Sequence, residues 1–120
     1  MEEPIKRGSG RIDCNGEANI RFLADGRQIS ASIKDLSLTG VRVVMPARII
    51  TPGSPIELDM CINSRYVKCK GKFVWALPLR PGLGGVPIFD AGIEFTEMGS
   101  GDRLFLKQLI AGKLKDDAGN

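Results

Sequence analysis

The sequence predicts an all-β domain, a six-stranded antiparallel β-barrel followed by one C-terminal α-helix. Six short segments alternate apolar with polar residues, the period of strands that bury one face in a core. Turn formers such as Asp-Gly and Asn-Ser separate these segments, as is typical of antiparallel barrels and sandwiches. Near residue 100 the apolar period becomes that of a helix. A chain of 120 residues has room for one such domain.

The predicted strands follow a turn-rich N-terminal segment. Residues 1–16 combine charge with Gly and Pro and show no sustained period, so we expect an arm that is mobile over residues 1–10. The barrel should span residues 17–98, with strands over residues 18–23, 29–33, 41–45, 56–62, 66–76 and 88–95. Residues 77–87 hold three Pro and three Gly, which predicts an irregular loop between the last two strands.

The C-terminal segment carries the helical pattern. Leu106, Leu109, Ile110 and Leu114 recur at helical spacing and predict a helix over residues 99–115. Either Ser100 or Asp102 is suited to cap its N-terminus. Residues 116–120 are predicted to be a tail.

Composition narrows the classes of function. The chain has no His, its three Cys form no CxxC pair, and no P-loop is present, so we expect no metal site, no cofactor and no enzymatic activity. The cysteines should be buried or half-buried thiols without a redox role. No apolar run approaches the roughly 18–20 residues that span a bilayer, and no secretory segment is present. We therefore expect a cytoplasmic protein that does not insert into membranes.

Two short motifs carry the chemistry. The arm contains Arg7 and Arg11, separated by Gly-Ser-Gly, and the turn after the second strand reads Asp35-Leu36-Ser37-Leu38-Thr39-Gly40. Asp35 and Ser37 are two residues apart, so an extended backbone directs them to the same face. Arginine binds phosphate oxygens bidentately, and a carboxylate accepts the paired N–H donors of guanine. Gly40 permits a sharp turn or a close approach of the ligand to the backbone. The combination suits an anionic guanine nucleotide.

In this order and on this strand pattern, with Val74-Trp75 and Gly92-Ile93-Glu94-Phe95 in the last strands, the motifs RxxxR and DxSxxG resemble the PilZ domain family. The resemblance covers residues 6–95 and is to stand-alone, single-domain members. It implies a receptor for cyclic di-GMP in motility, biofilm or exopolysaccharide pathways. By motif position, the implied ligand-binding residues are Arg7, Arg11, Asp35, Ser37 and Gly40, with Lys6 and Trp75 as additions.

Three side chains admit more than one role. Trp75 shares its parity with Val67 and Phe73, which favours core packing, although stacking on a base is the alternative. In PilZ domains a basic residue at the position of Lys6 is associated with two stacked ligands, so the resemblance favours two cyclic di-GMP molecules per chain. Arg42 is predicted to be a solvent-facing strand residue.

Three functions stay open. The first is a receptor that changes its arm and adjacent surface on binding, and so regulates a protein partner that the sequence does not identify. The second is a PilZ-like interaction module that has lost nucleotide binding. The third, binding of single-stranded nucleic acid, calls for aromatic residues interleaved with basic ones, whereas the chain has seven aromatics and a net charge of +3. We expect no nucleic-acid polymer as a partner.

Overall fold

The computed structural model describes residues 10–47, 49–81 and 83–119, without the side chains of residues 83 and 114–119. Its elements are β1 (Arg11–Phe22), β2 (Gln28–Ser37), β3 (Gly40–Pro46), β4 (Pro55–Ile62), β5 (Arg65–Pro81), β6 (Pro87–Met98) and α1 (Ser100–Gly119). The strands form a closed barrel in the order β1-β2-β3-β6-β5-β4, and every neighbouring pair is antiparallel. The predicted fold class is confirmed.

The core fills the inside of this barrel. Alternate residues of each strand point inward, and the largest fully buried side chains include Ile20, Ile33, Leu58 and Phe73. The Phe22 and Phe73 rings stack with centroids 5.7 Å apart. Burial of such side chains contributes about 1.5–3 kcal/mol each, so the alternating apolar pattern both selects the strands and stabilises the barrel.

The first strand begins earlier than predicted. Residues 11–16 belong to β1 and not to the arm, because Arg11 pairs with Ser37 and Asp13 pairs with Asp35 on β2. The register shifts between Asp13 and Gly16, and this irregularity interrupts the alternation that marks a strand in the sequence. The predicted mobile segment, residues 1–10, lies outside the described residues except for Gly10.

The predicted loop over residues 77–87 is also wrong, because β5 and β6 continue through most of it as a two-stranded ribbon. Past Phe73, β6 is the only strand in the described chain that pairs with β5. Proline is tolerated on an edge strand where its missing N–H faces away from the ladder. Pro78 and Pro81 are therefore compatible with this part of β5, although their local pattern predicts a break.

The helix covers one end of the barrel. Leu106 and Ile110 are buried against it, and the Arg65 guanidinium lies 4.6 Å from the Phe105 ring centroid. The helix extends to Gly119, four residues beyond the predicted end, because no Gly or Pro interrupts residues 113–118. In the part of the chain that is described, no helix is long and apolar enough to cross a membrane.

The three cysteines are free thiols, as predicted, with Cys69 buried and Cys14 and Cys61 half-buried. Burial raises the pKa of the Cys69 thiol to about 12 and also raises the pKa of Cys14. Both groups are therefore protonated at neutral pH.

Candidate ligand-binding site

A depression of about 340 Å³ lies on the outer wall where β2, β3, β6 and β5 run side by side. Four residues cross these strands in one row: Asp35 is opposite Arg42, Arg42 is opposite Gly92, and Gly92 is opposite Trp75. We call this surface, with Arg11 and Asp90 added, the site face. Its depression is lined by Arg11, Asp35, Thr39, Gly40, Val41, Arg42, Val74, Trp75, Gly92, Ile93 and Glu94.

Two carboxylates and two guanidinium groups form a connected network on the site face. Asp35 accepts hydrogen bonds from Arg11 at Oδ1 and from Arg42 Nη1 at Oδ2, the latter at 3.1 Å. Arg42 also donates to both oxygens of Asp90, from Nε at 2.9 Å and from Nη2 at 3.2 Å. The side chains of Asp35 and Asp90 are only 12% and 15% exposed. Hydrogen bonds to Asp90 and then to Asp35 raise the pKa of Arg42, which therefore stays charged.

The Ser37 hydroxyl holds the turn between β2 and β3. Its Oγ accepts the backbone N–H groups of Thr39 and Gly40, both at 3.1 Å, and donates to the Gly40 carbonyl at 3.3 Å. Ser37 is 7% exposed and is not among the described residues that line the depression. Ser37 shapes the turn that follows Asp35, and its predicted contact with a ligand stays a prediction.

Gly40 lies where the turn approaches β6 most closely. A Cβ at this position would overlap the backbone carbonyl oxygen of Ile93, and Gly40 does not adopt a positive φ. The requirement for glycine therefore comes from strand packing and not from a positive φ in the turn, while the predicted close approach of a ligand stays a prediction. Gly40 nevertheless lines the depression.

Trp75 lies on the outer wall, so the prediction that it packs in the core is wrong. The register shifts between Phe73 and Trp75, and the extra residue reverses the inward–outward alternation, so that Trp75 faces outward. Trp75 is 37% exposed, and its indole lies directly over Gly92, where any Cβ would overlap the ring. The ring forms a flat apolar wall of the depression.

The structure brings together four of the seven predicted site residues: Arg11, Asp35, Gly40 and Trp75 line one depression, and Ser37 supports it from below. Lys6 and Arg7 lie outside the described residues. Arg42, Asp90 and Gly92 also belong to the site face, and their sequence pattern did not predict this. Arg42 and Gly92 are placed there by the strand register, which sets Arg42 opposite both Asp35 and Gly92.

These features define a small β-barrel domain with a surface site of arginines and carboxylates beside a DxSxxG turn. The family model for the PilZ domain matches residues 5–112, and the chain belongs to that family. The resemblance based on the two motifs is therefore confirmed. No match to a curated protein was found by sequence comparison.

Two solved structures with the same fold differ in how much of their own length this chain covers. The inhibitor of motility MotI/DgrA from Bacillus subtilis superposes with a TM-score of 0.72 at 15% identity, over 89% of this chain and 50% of that one. The PilZ domain of YcgR from Escherichia coli, solved with c-di-GMP, superposes with a TM-score of 0.67 at 12% identity, over 92% and 95%. The chain thus spans half of the first protein and nearly all of the second structure. At these identities the likeness concerns the fold.

Proposed function

We propose that this PilZ domain is a receptor for cyclic di-GMP. The observation that carries the proposal is the cluster of Arg11, Asp35 and Arg42 around one open depression, with the Trp75 ring as its wall. A carboxylate and guanidinium groups are the partners that a guanine base and phosphates require. The YcgR domain, which has the same fold, is described with c-di-GMP.

Each side chain of the proposed site has its own task. Asp35 accepts hydrogen bonds from the N1–H and N2–H₂ groups of guanine, and Trp75 offers a face on which a base stacks. Arg11 and Arg7 bind phosphate, and the role of Arg7 rests on the RxxxR motif. Lys6 is added because it adjoins Arg7 in the sequence. Ser37 and Gly40 hold the turn that presents Asp35.

Binding would exchange one ion pair for others. In the structure, Arg11 donates to one oxygen of Asp35. A phosphate draws Arg11 away and leaves that oxygen to guanine, and the N-terminal arm follows Arg11 onto the barrel. This movement changes the surface next to the site, which is how we expect the domain to regulate a protein partner. The proposed role is that of a regulator in the cytoplasm and not of an enzyme.

Isothermal titration calorimetry with cyclic di-GMP tests the proposal, with GTP and cyclic AMP as control ligands. We expect a dissociation constant near or below 1 μM, which corresponds to about −8 kcal/mol or tighter. Two ligands per chain are expected from the basic residue Lys6. An absence of heat together with an absence of NMR chemical-shift changes at about 100 μM ligand would refute nucleotide binding and leave the interaction module as the better interpretation.

A further inference from the structure

Arg11 and Arg42 share the Asp35 carboxylate, yet they are held very differently. Within the described part of the chain, Arg11 makes one side-chain hydrogen bond, to Asp35. Arg42 makes three, one to Asp35 and two to Asp90. The planar guanidinium of Arg42 thus has its orientation fixed by Asp90 before it meets Asp35. The Arg11 guanidinium can move away from Asp35 by breaking one hydrogen bond, whereas the Arg42 guanidinium would have to break three.

Asp35 needs both of its oxygens in a defined plane to accept two parallel N–H bonds from guanine. Each carboxylate oxygen has two lone pairs, so Oδ2 can accept from Arg42 and from a base at the same time. The bond from Arg42 fixes the rotation of the carboxylate, and the departure of Arg11 frees Oδ1. The two arginines therefore serve opposite purposes, one as a removable partner and one as a permanent support.

We infer that Arg42, oriented by Asp90, is a positioning residue that sets the Asp35 carboxylate for guanine and so determines base specificity. The inference rests on the proposed function, because it assumes that Asp35 reads the base. Asp90 lies on β6 and is not among the described residues that line the depression. Its influence on a ligand therefore passes through Arg42, and this makes Asp90 the better position to substitute.

The test is Asp90→Asn, titrated with cyclic di-GMP and with its inosine analogue, whose base lacks the 2-amino group. Wild-type protein should prefer guanine by about tenfold, the value of one hydrogen bond to a charged group. Asp90→Asn should lower affinity for cyclic di-GMP by about tenfold and affinity for the analogue by less than about threefold, so that the preference falls. Glu57→Gln, which breaks the Arg21–Glu57 pair on β1 and β4, is the matched control and should change neither affinity.

Equal losses for both ligands would overturn the inference, because they would indicate that Arg42 binds phosphate or only supports the barrel. Unchanged affinities would overturn it as well. Wild-type protein that binds neither ligand would refute the proposed function, and the inference with it.

A second readout does not depend on the variant folding. In NMR spectra of wild-type protein, the Nε–H resonance of Arg42 should keep its position when cyclic di-GMP saturates the site, while that of Arg11 shifts. A comparable shift of the Arg42 resonance would show that Arg42 changes partners and would overturn the inference. Thermal unfolding of Asp90→Asn establishes whether its affinities refer to folded protein.

Discussion

Two regions of the same barrel wall carry cross-strand ion pairs, and they differ in how the carboxylates are held. The first is the site face. The second, which we call the ladder, lies on β1, β4, β5 and β6 and consists of the pairs Arg21–Glu57, Lys68–Asp59 and Lys70–Glu97. The carboxylate side chains of the ladder are 39–73% exposed, and its two lysine pairs span 3.7–3.8 Å. On the site face, the Asp35 and Asp90 side chains are less than half as exposed as any carboxylate of the ladder. Both pair with Arg42, at distances of 3.1 and 2.9 Å.

The size of a surface depression does not distinguish these regions. The ladder borders a depression of about 400 Å³, which is larger than the depression of about 340 Å³ on the site face. Exposed single pairs contribute about 0–1 kcal/mol and are screened by salt, so the ladder is a solvated surface. Partly buried carboxylates are costly unless they are hydrogen-bonded, and the shared pairing of Asp35 and Asp90 meets that need at one place on the wall. The comparison teaches that burial and sharing of charge, and not cavity volume, distinguish the proposed site from the ladder.

The largest expected effect is that of Asp35→Ala. Loss of the base acceptor should weaken cyclic di-GMP binding by about 10–100-fold, because a polar partner is left unpaired. Wild-type protein should also reject cyclic di-AMP, which lacks the guanine N–H pair. Asp59→Ala, on the ladder, is the control and should leave binding unchanged. Equal affinity of wild-type protein for the two dinucleotides would show that Asp35 reads no base.

Arg11→Ala should weaken binding by about tenfold through the loss of a charge-assisted phosphate contact. Lys6→Ala should weaken binding less than Arg11→Ala does. Arg11 is anchored at the start of β1, so its contact with phosphate loses less conformational entropy. Arg21→Ala provides the comparison on the ladder, since the Arg21 side chain has the same 42% exposure. Calorimetric titration of the three variants ranks them, and a larger loss for Lys6 would contradict the assigned phosphate contacts.

Gly92→Ala tests the Trp75 wall and should have a smaller effect. The new Cβ displaces the indole, which removes part of its stacking on a base and should weaken binding by about fivefold. Trp75 is the only tryptophan, so its fluorescence reports the displacement directly, and acrylamide should quench it more strongly than in wild-type protein. Gly112→Ala, in an open position on α1, is the control for substitution of a glycine. A change in fluorescence with unchanged affinity would exclude Trp75 from the site.

The smallest effect is expected on the ladder. Joint substitution of Lys68 and Lys70 by Gln should change the free energy of unfolding by less than about 0.5 kcal/mol for each residue, as usual for exposed positions. At physiological salt it should alter cyclic di-GMP affinity by less than about twofold, because charges are screened over about 8 Å. Urea unfolding and calorimetry check both values. A pronounced loss of binding would mean that the ladder belongs to the site.

The six strands could be predicted from the sequence because apolar inward residues alternate strictly with polar outward ones wherever a strand pairs regularly with both adjacent strands. The sequence could not predict the face on which Trp75 lies, because Val74 is an extra residue without a partner on β6 and reverses the inward–outward alternation. Nothing in the local sequence marks this bulge. The β5–β6 ribbon was not predicted for a related reason. Proline usually breaks a strand because it lacks the backbone N–H, but on a free edge that N–H has no partner to lose. These differences depend on pairing and not on composition.

The site was predictable to the extent that short motifs define it. Arg11, Asp35 and Gly40 follow from RxxxR and DxSxxG, and the structure brings them to one depression. The bond between Arg42 and Asp90 joins residues 48 positions apart and arises only because β3 pairs with β6. Lone charged residues on predicted strands are usually solvated, so neither residue attracts attention in a sequence.

The proline-bearing ribbon also has a consequence for aggregation. A free strand edge is a template for a strand of another molecule, and exposed apolar side chains such as Leu77 and Leu79 strengthen that tendency. On the outer part of β5, Pro78 and Pro81 remove backbone donors at two positions, and the charged Arg80 lies between them. An incoming strand would meet an interrupted row of hydrogen-bonding groups there. The ribbon can therefore extend beyond the barrel without offering a continuous edge for intermolecular sheet growth.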